Sequence, residues 1–311
     1  MEYLTIKNTD LVVSRMCMGG YPLGGHGWGS TSESDLFAAV GKAFDVGINF
    51  FDTADVYGLG RSEQILADGL GANRSKAVIA CKFGVRIDKG RTFYDNSRAW
   101  MEESLIGSLR RLKTDYIDLY QVHYRDNNTP MEELIDSLER VKKKGYIRYY
   151  GLSNVYYKDK QEISAYKNGF VAFQDEYSLA NRSNEQDIFR LAQELNLTPM
   201  TWGSLGQGIL TGKYDANVKF GADDRRSREI YVNFHGDKLK KNMLIVECLR
   251  SISATTGYKP SALAMRFILD YVPGSIVLVG AKRPSHIVDN VNALGWQLSK
   301  EHMEKLLEVS S

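Results

Sequence analysis

The chain has 311 residues, 43% of them hydrophobic and 25% charged, with a formal net charge of +2. That balance is ordinary for a soluble globular protein and gives no sequence-wide electrostatic case for binding nucleic acid or a membrane surface. The amino-terminal MEYLTIKNTDLVVSRM has no continuous apolar region, and no stretch approaches the roughly 20 apolar residues that span a bilayer, so a cytoplasmic location is expected.

YLTIK, the turn-prone NTD and LVVS predict an opening β-hairpin. Strand-like and helix-like runs then alternate. The strands fall near 16–19, 48–52, 77–82, 117–122, 148–152, 171–174, 199–202 and 276–279. The helices fall near 32–46, 61–71, 97–111, 131–144, 158–167, 185–196, 260–271 and 285–293, on apolar spacings such as Leu134, Leu138 and Val141. Expected caps are Ser32, Asn96 or Ser97, and Thr129 with Pro130 at the first helical position. Long loops are expected at 83–97 and 205–240, an extra helix at 237–257 and a C-terminal helix at 299–309. Cys17, Cys81 and Cys248 have no CxxC spacing and suit small buried hydrophobes in a reducing compartment.

This alternation predicts a parallel sheet. An open doubly wound sheet usually places a GxGxxG fingerprint after its first strand. Here MGGYPLGGHGWG lacks that spacing, so a closed (β/α)8 TIM barrel is favoured, with an N-terminal hairpin and extra C-terminal helices, as a single domain over 1–311.

Asp52, Lys82 and His123 each end an apolar strand-like run, and Tyr57 follows the first within FDTADVYG. An ionisable residue closing a buried strand is costly unless paired, and the carboxyl ends of barrel strands converge on the face where chemistry occurs. Asp52 and Lys82 alone would read equally well as a buried ion pair. With Tyr57 and His123 they suit a different task. A phenol is a poor acid at neutral pH unless a cation stabilises its anion, which Lys82 can do while Asp52 aims the lysine. His123 can hydrogen-bond the oxygen that acquires charge. Hydride transfer to a carbonyl, or its reverse, has that requirement, and because no side chain supplies hydride a nicotinamide cofactor is implied.

GINFFDTADVYGLGRSE at 47–63, SLRRLKTDYIDLYQVH at 108–123, GLSN at 151–154, TWGSLGQGILTGKY at 201–214 and VGAKRPSHIVDN at 279–290 together resemble the aldo-keto reductase superfamily over almost the whole chain. The sequence is similar to the bacterial branch that includes the inositol-operon reductase and the potassium-channel β-subunit-like proteins. The resemblance implies NADPH lying extended across the strand ends, with NADH as a lesser possibility. It makes Tyr57 the general acid, Lys82 and Asp52 its tuning pair and His123 the substrate-orienting residue. Gly20, Tyr21 and Asp52 would stand beside the cofactor. Ser153, Asn154 and Gln174 would bond its carboxamide, and Trp202 would stack on the nicotinamide. Gly203, Ser204, Leu205, Gly208, Leu210 and Lys213 would follow the pyrophosphate. Gly280, Lys282, His286, Asp289 and Asn290 would surround the adenosine end, reached by Arg225 from the long loop. His286 stands where the family commonly carries arginine or glutamine, which weakens a 2′-phosphate contact there, and Lys282 and Arg283 compensate.

The expected substrate is an aldehyde or ketone of sugar or polyol type, with Trp28 and Arg125 as its candidate contacts and no metal, nucleic acid or membrane partner. His26, His235 and His302 have no metal-binding spacing. Two alternatives stay open: a cofactor-sensing regulatory protein of the channel β-subunit kind with very slow turnover, and a polyol dehydrogenase running oxidatively.

Overall fold

The computed structural model describes all residues except His26, Trp28, Gly29, Ser30, Lys167 and Asn168, and for Tyr157 the backbone alone. The opening hairpin pairs β1 (Tyr3–Thr5) with β2 (Val12–Ser14) antiparallel. The strands β3 (Met16–Gly19), β4 (Phe50–Asp52) and β5 (Val78–Phe83) follow. A second hairpin, β6 (Val85–Asp88) and β7 (Arg91–Tyr94), occupies the segment that the sequence leaves as a loop. The remaining strands are β8 (Ile117–Val122), β9 (Ile147–Ser153), β10 (Phe170–Glu176), β11 (Thr198–Trp202) and β12 (Ile276–Gly280). They close a barrel in the order β3-β4-β5-β8-β9-β10-β11-β12, every neighbouring pair parallel and β12 returning to β3.

The helices are α1 (Glu33–Asp45), α2 (Arg61–Leu70), α3 (Arg98–Leu112), α4 (Met131–Lys143), α5 (Lys160–Ser164), α6 (Glu185–Glu194), α7 (Gly236–Thr256), α8 (Pro260–Tyr271), α9 (Pro284–Val291) and α10 (Lys300–Val309). Ser32 and Ser97 cap α1 and α3 by accepting from Asp35 N and Trp100 N. Two expectations differ. Pro130 is the N-cap of α4 rather than its first helical residue, with Thr129 held instead by Asp126. The helix expected over 158–167 reduces to the short α5 after a 3-10 turn at Tyr157–Asp159. The 205–240 segment winds through 3-10 turns at Gly206–Thr211, Arg225–Ser227 and Val232–Phe234.

Two hydrophobic layers account for the closure. One lies between strands and helices. The other fills the barrel with Cys17, Phe50, Ala80, Leu119, Ala172, Met200 and Ile276, and is joined by Ile6, Leu11 and Val13, with which the first hairpin plugs the amino-terminal end. Side chains alternate across a strand, so the next inward position along each chain is fixed by period two. From Phe50, Ala80, Leu119, Ala172 and Met200 that step leads to Asp52, Lys82, Gln121, Gln174 and Trp202. The barrel interior is therefore apolar below and polar at its carboxyl mouth.

Candidate active site

The neighbours β4, β5 and β8 bring three of the four strand-end residues together, with Asp52 opposite Ala80 and Lys82 opposite Gln121. Lys82 Nζ donates to Asp52 Oδ1 at 2.5 Å, and both side chains are almost fully buried. Asp52 Oδ2 accepts from Gln174 Nε2 at 2.9 Å and Gln121 Nε2 at 3.3 Å. A buried carboxylate is tolerable with such donors and costly without them.

Tyr57 reaches the same point from the turn after β4, where Tyr57 N donates to Ala54 O at 3.1 Å. Its hydroxyl lies 3.4 Å from Lys82 Nζ. The turn is laced to the segment after β3: Gly20 N donates to Asp52 O at 2.6 Å, and Ser62 Oγ donates to Gly20 O at 2.7 Å. Gly58 is required there, because it has φ 62° and a Cβ on it would stand 2.3 Å from Gly24 O. This close approach sets the Tyr21 ring edge-on to Tyr57 with centroids 5.0 Å apart. His123 completes the group, its ring edge-on to Tyr57 at 5.7 Å.

Electrostatically the site differs from the sequence expectation in one respect. Burial acts most strongly, to discharge Lys82, but the charge and hydrogen bond of Asp52 together with Tyr57 and Cys81 outweigh it and hold the ammonium above its ordinary value. Tyr57 is pushed up to about 12: burial dominates, and the pull of Lys82 is offset by Asp52. The phenol is therefore firmly protonated at neutral pH instead of poised to ionise. Burial, then Lys82, holds His123 well below the usual histidine value, so its imidazole is neutral. Its Nδ1 is buried with no hydrogen-bond partner among the described residues.

Along the other side of the mouth, Ser153 ends β9 and Asn154 follows at φ 56°, its Nδ2 donating to His123 O at 2.9 Å and Ser153 Oγ at 3.1 Å. Trp202 ends β11. Gly203 then turns at φ 69°, and Ser204 Oγ donates to Thr201 O at 3.0 Å. Leu205 O accepts from Gly208 N and Leu210 N, while Gly206, Gln207 and Gly208 all take positive φ, giving a narrow backbone path that leads to Lys213. Gly280 ends β12 beside Lys282, and α9 carries His286, Asp289 and Asn290. Asp289 pairs with Lys259 at 2.6 Å, and Lys282 N donates to His286 Nδ1 at 3.4 Å.

Two observations fit an anionic nucleotide on this path. Asn290 is buried, with its Nδ2 lacking a partner among the described residues. Lys282 is held below its ordinary value by burial and then by Arg226, with Lys213 and Arg283 adding to the repulsion and Asp224 opposing it. His286 is lowered likewise by burial, Arg283, Lys213 and Lys282. Crowded cations of this kind mark a place for a polyanion.

Of three further expected contacts, two are engaged by other groups of the chain and one lies outside the described residues. Arg225, expected at the adenosine end, donates through Nη1 to the Tyr21 hydroxyl, with its guanidinium carbon 5.7 Å from that ring's centroid. Arg125 is engaged on the rim by Thr129 O and Glu162, both at 3.0 Å. Trp28 lies outside the described residues. Residues that the sequence reading missed are Gln121, legible in hindsight as the inward neighbour of His123 on its strand, and Tyr124 and Tyr94. Tyr124 stacks on His123 at 5.2 Å, and Tyr94, carried in by the second hairpin, stacks on Tyr124 at 4.8 Å. Nothing in their spacing signals that pairing.

A closed parallel barrel with a protonated phenol, a paired ammonium and a neutral imidazole at its carboxyl mouth, flanked by a cationic path, has the groups that a nicotinamide-dependent oxidoreductase requires. The chain belongs to the aldo/keto reductase family, whose model matches residues 15–311. It is 32% identical over 309 residues to aldo-keto reductase YhdN of Bacillus subtilis, covering 98% of this chain and 92% of that one. It is also 32% identical to a probable voltage-gated potassium channel subunit beta of Oryza sativa, over 94% of this chain and 91% of the relative. Among solved structures, glycerol dehydrogenase AKR11B4 of Gluconobacter oxydans matches with a TM-score of 0.89 at 29% identity, over 99% of this chain and 94% of that one. Aldo-keto reductase AKR11C1 of Bacillus halodurans matches at 0.82 and 28%, over 100% and 97%. The protein is thus an NAD(P)H-dependent oxidoreductase interconverting carbonyl and alcohol groups of small molecules. Among the described residues no helix is long and apolar enough to cross a membrane.

Proposed function

We propose that the chain reduces an aldehyde or ketone of sugar or polyol type with NADPH, Tyr57 supplying the proton. The observation that carries this reading is the Tyr57 hydroxyl held 3.4 Å from the Lys82 ammonium, which is itself fixed on Asp52. NADPH would lie along Trp202 to Lys213 and end among Lys282, His286 and Asn290, and when bound it supplies the hydride. The unbalanced cations at that end favour the form carrying an additional phosphate.

The side chains divide the remaining work. With Nδ1 buried and unpartnered, the neutral His123 is assigned the tautomer whose proton sits on Nε2, and that N–H orients the carbonyl oxygen. Tyr57 donates its proton to the oxygen as negative charge develops there, and the Lys82 ammonium stabilises the phenolate left behind. Asp52 keeps Lys82 charged and aimed. Gln174 and Gln121 hold Asp52 in turn. The substrate type is supported by the glycerol dehydrogenase likeness and by the cluster of phenols Tyr21, Tyr57, Tyr94 and Tyr124 around His123, a surface that suits a polyhydroxylated chain.

The test is Tyr57→Phe assayed with NADPH and a panel of aldehydes, ketones and keto-sugars. Turnover should fall by at least about a thousandfold while the NADPH Kd stays within about twofold, in line with loss of a proton-transfer group. Parental turnover in that variant would refute the assignment. The same panel meets the regulatory alternative, which requires tight cofactor binding without appreciable oxidation of NADPH by any carbonyl.

A further inference from the structure

Arg225 has a setting that the reduction chemistry above does not use. Its backbone N donates to Gly27 O at 2.9 Å, and its side chain lies directly on Gly27, where a Cβ would meet Arg225 Cγ at 2.3 Å. Gly27 has φ 76°, so the close approach depends on glycine. The guanidinium donates to the Tyr21 hydroxyl and packs against the Tyr21 ring. Tyr21 also bonds Tyr231 and is edge-on to Tyr57. A half-buried guanidinium is thereby fixed one aromatic ring away from the proton donor.

Its charge is unbalanced. Among the described residues no carboxylate forms an ion pair with Arg225, and none of the residues outside that set is acidic. The contrast with its neighbour is sharp. Arg226 takes both oxygens of Asp224, at 2.9 and 2.6 Å, and the Tyr214 hydroxyl at 2.7 Å. Asp224 is thus consumed by Arg226, while among the described residues the Arg225 guanidinium donates to a neutral phenol. Half-burying a guanidinium without a counter-charge costs free energy, and its planar fork suits carboxylate or phosphate oxygens.

We propose that Arg225 is the anion-recognition residue of the substrate pocket, and that the natural substrate is a carbonyl compound bearing a carboxylate or phosphate group. The anion would lie against Arg225 while the carbonyl, separated from it by the width of the Tyr21 ring, faces Tyr57 and His123. Arg225 then acts on specificity and leaves the proton and hydride steps to other groups. The proposal rests on the carbonyl-reductase reading and adds the chemical class of its substrate.

The experiment uses the full chain with NADPH and two matched pairs: benzaldehyde with 4-carboxybenzaldehyde, and glyceraldehyde with glyceraldehyde 3-phosphate. The parent should favour the anionic member of at least one pair by about tenfold or more in kcat/KM, and the favoured pair identifies carboxylate or phosphate. Arg225→Leu should abolish that preference, leaving neutral aldehydes and the NADPH Kd within about twofold of parent. Arg225→Lys should keep part of it. A parent with no preference in either pair overturns the proposal, as does an Arg225→Leu variant that loses neutral and anionic substrates alike or loses NADPH affinity, which assigns the residue to the cofactor. If no aldehyde is turned over, the carbonyl-reductase reading fails separately. Fluorescence titration of the NADPH-loaded protein with benzoate, inorganic phosphate and benzyl alcohol then decides the anion site: it stands only if an anion binds at least about tenfold more tightly than the alcohol in the parent and not in Arg225→Leu.

Discussion

Lys82→Met removes one partner of the buried pair at nearly constant volume and leaves Asp52 with the Gln121 and Gln174 amides as its remaining side-chain donors. At 2.5 Å and an effective dielectric constant of about 20, the gross Coulombic attraction is about 7 kcal/mol, most of it offset by desolvation of two ions. Breaking such a pair from one side costs about 3–5 kcal/mol, because an uncompensated charge stays buried. The abandoned carboxyl should take up a proton in the folded state, raising its folded pKa above the unfolded value near 3.9. An acid so raised binds more protons folded than unfolded, so stability falls as pH rises between the two values. The deficit of Lys82→Met against the parent should therefore be larger at pH 8 than at pH 5, measured as unfolding free energy in urea. The double variant Asp52→Asn/Lys82→Met buries no charge and should recover to within about 1.5 kcal/mol of the parent. Neither variant should turn over substrate. The reasoning is refuted if Lys82→Met matches the parent within about 0.5 kcal/mol at every pH, or if the double variant is no more stable than the single one.

Three other outcomes are expected. Asp175, facing away from the mouth on β10, accepts from Val155 N at 2.9 Å with its other oxygen unpartnered among the described residues, and burial followed by Asp187 raises it to about 8. Its raised folded pKa means that stability is lost as pH climbs from about 4 towards 8, so Asp175→Asn should be stabilising by about 2–4 kcal/mol at pH 7 and neutral near pH 4, read from urea midpoints. Tyr124→Leu removes the ring stacked on His123 and should lower kcat/KM about two- to tenfold with NADPH affinity unchanged, the equivalent of an aromatic contact worth about 0.5–1.5 kcal/mol. With Tyr57 at about 12, the chemical step of carbonyl reduction should be flat from pH 6 to 9, while alcohol oxidation, which needs the phenolate, should accelerate with pH. Single-turnover rates in both directions check this, and a reduction rate falling above pH 7 would contradict it.

The barrel was legible because each of its strands is a short apolar run bounded by turn residues, and each of the eight expected strands has its counterpart in the closed sheet. The pairing of Lys82 with Asp52 followed from the same logic, since strands adjacent in an alternating chain place their inward ends side by side. The second hairpin escaped because RIDKGRTFYD is polar and lacks an apolar face, and its strands are mostly solvent-exposed. Register with a partner strand, rather than burial, defines it. Tyr94 and Tyr124 were hidden for that reason, being thirty residues apart and joined only through the hairpin. The bond of Arg225 to Tyr21 was not legible because a long loop has no periodicity to fix its path. The backbone bond to Gly27 that decides its position connects segments nearly two hundred residues apart.

The three charge environments of the mouth correspond to three different demands. At the proposed cofactor end, Lys213, Lys282 and Arg283 crowd around an Arg226 already paired with Asp224, which suits a ligand that is anionic throughout the cycle. At the reacting end, Lys82 is balanced by Asp52. A carbonyl is neutral in the ground state and negative only as hydride arrives, so an unbalanced lysine there would hold carboxylates tightly in unproductive poses. Pairing it with Asp52 weakens attraction for ground-state anions. The ammonium still lies 3.4 Å from the phenol, which in the proposed reaction acquires charge as it gives up its proton. Stabilisation is thereby confined to the transition state, where it raises the rate rather than the affinity. An unbalanced cation belongs one ring further out, where a permanent anion on the substrate binds equally in both states, and Arg225 stands at that distance.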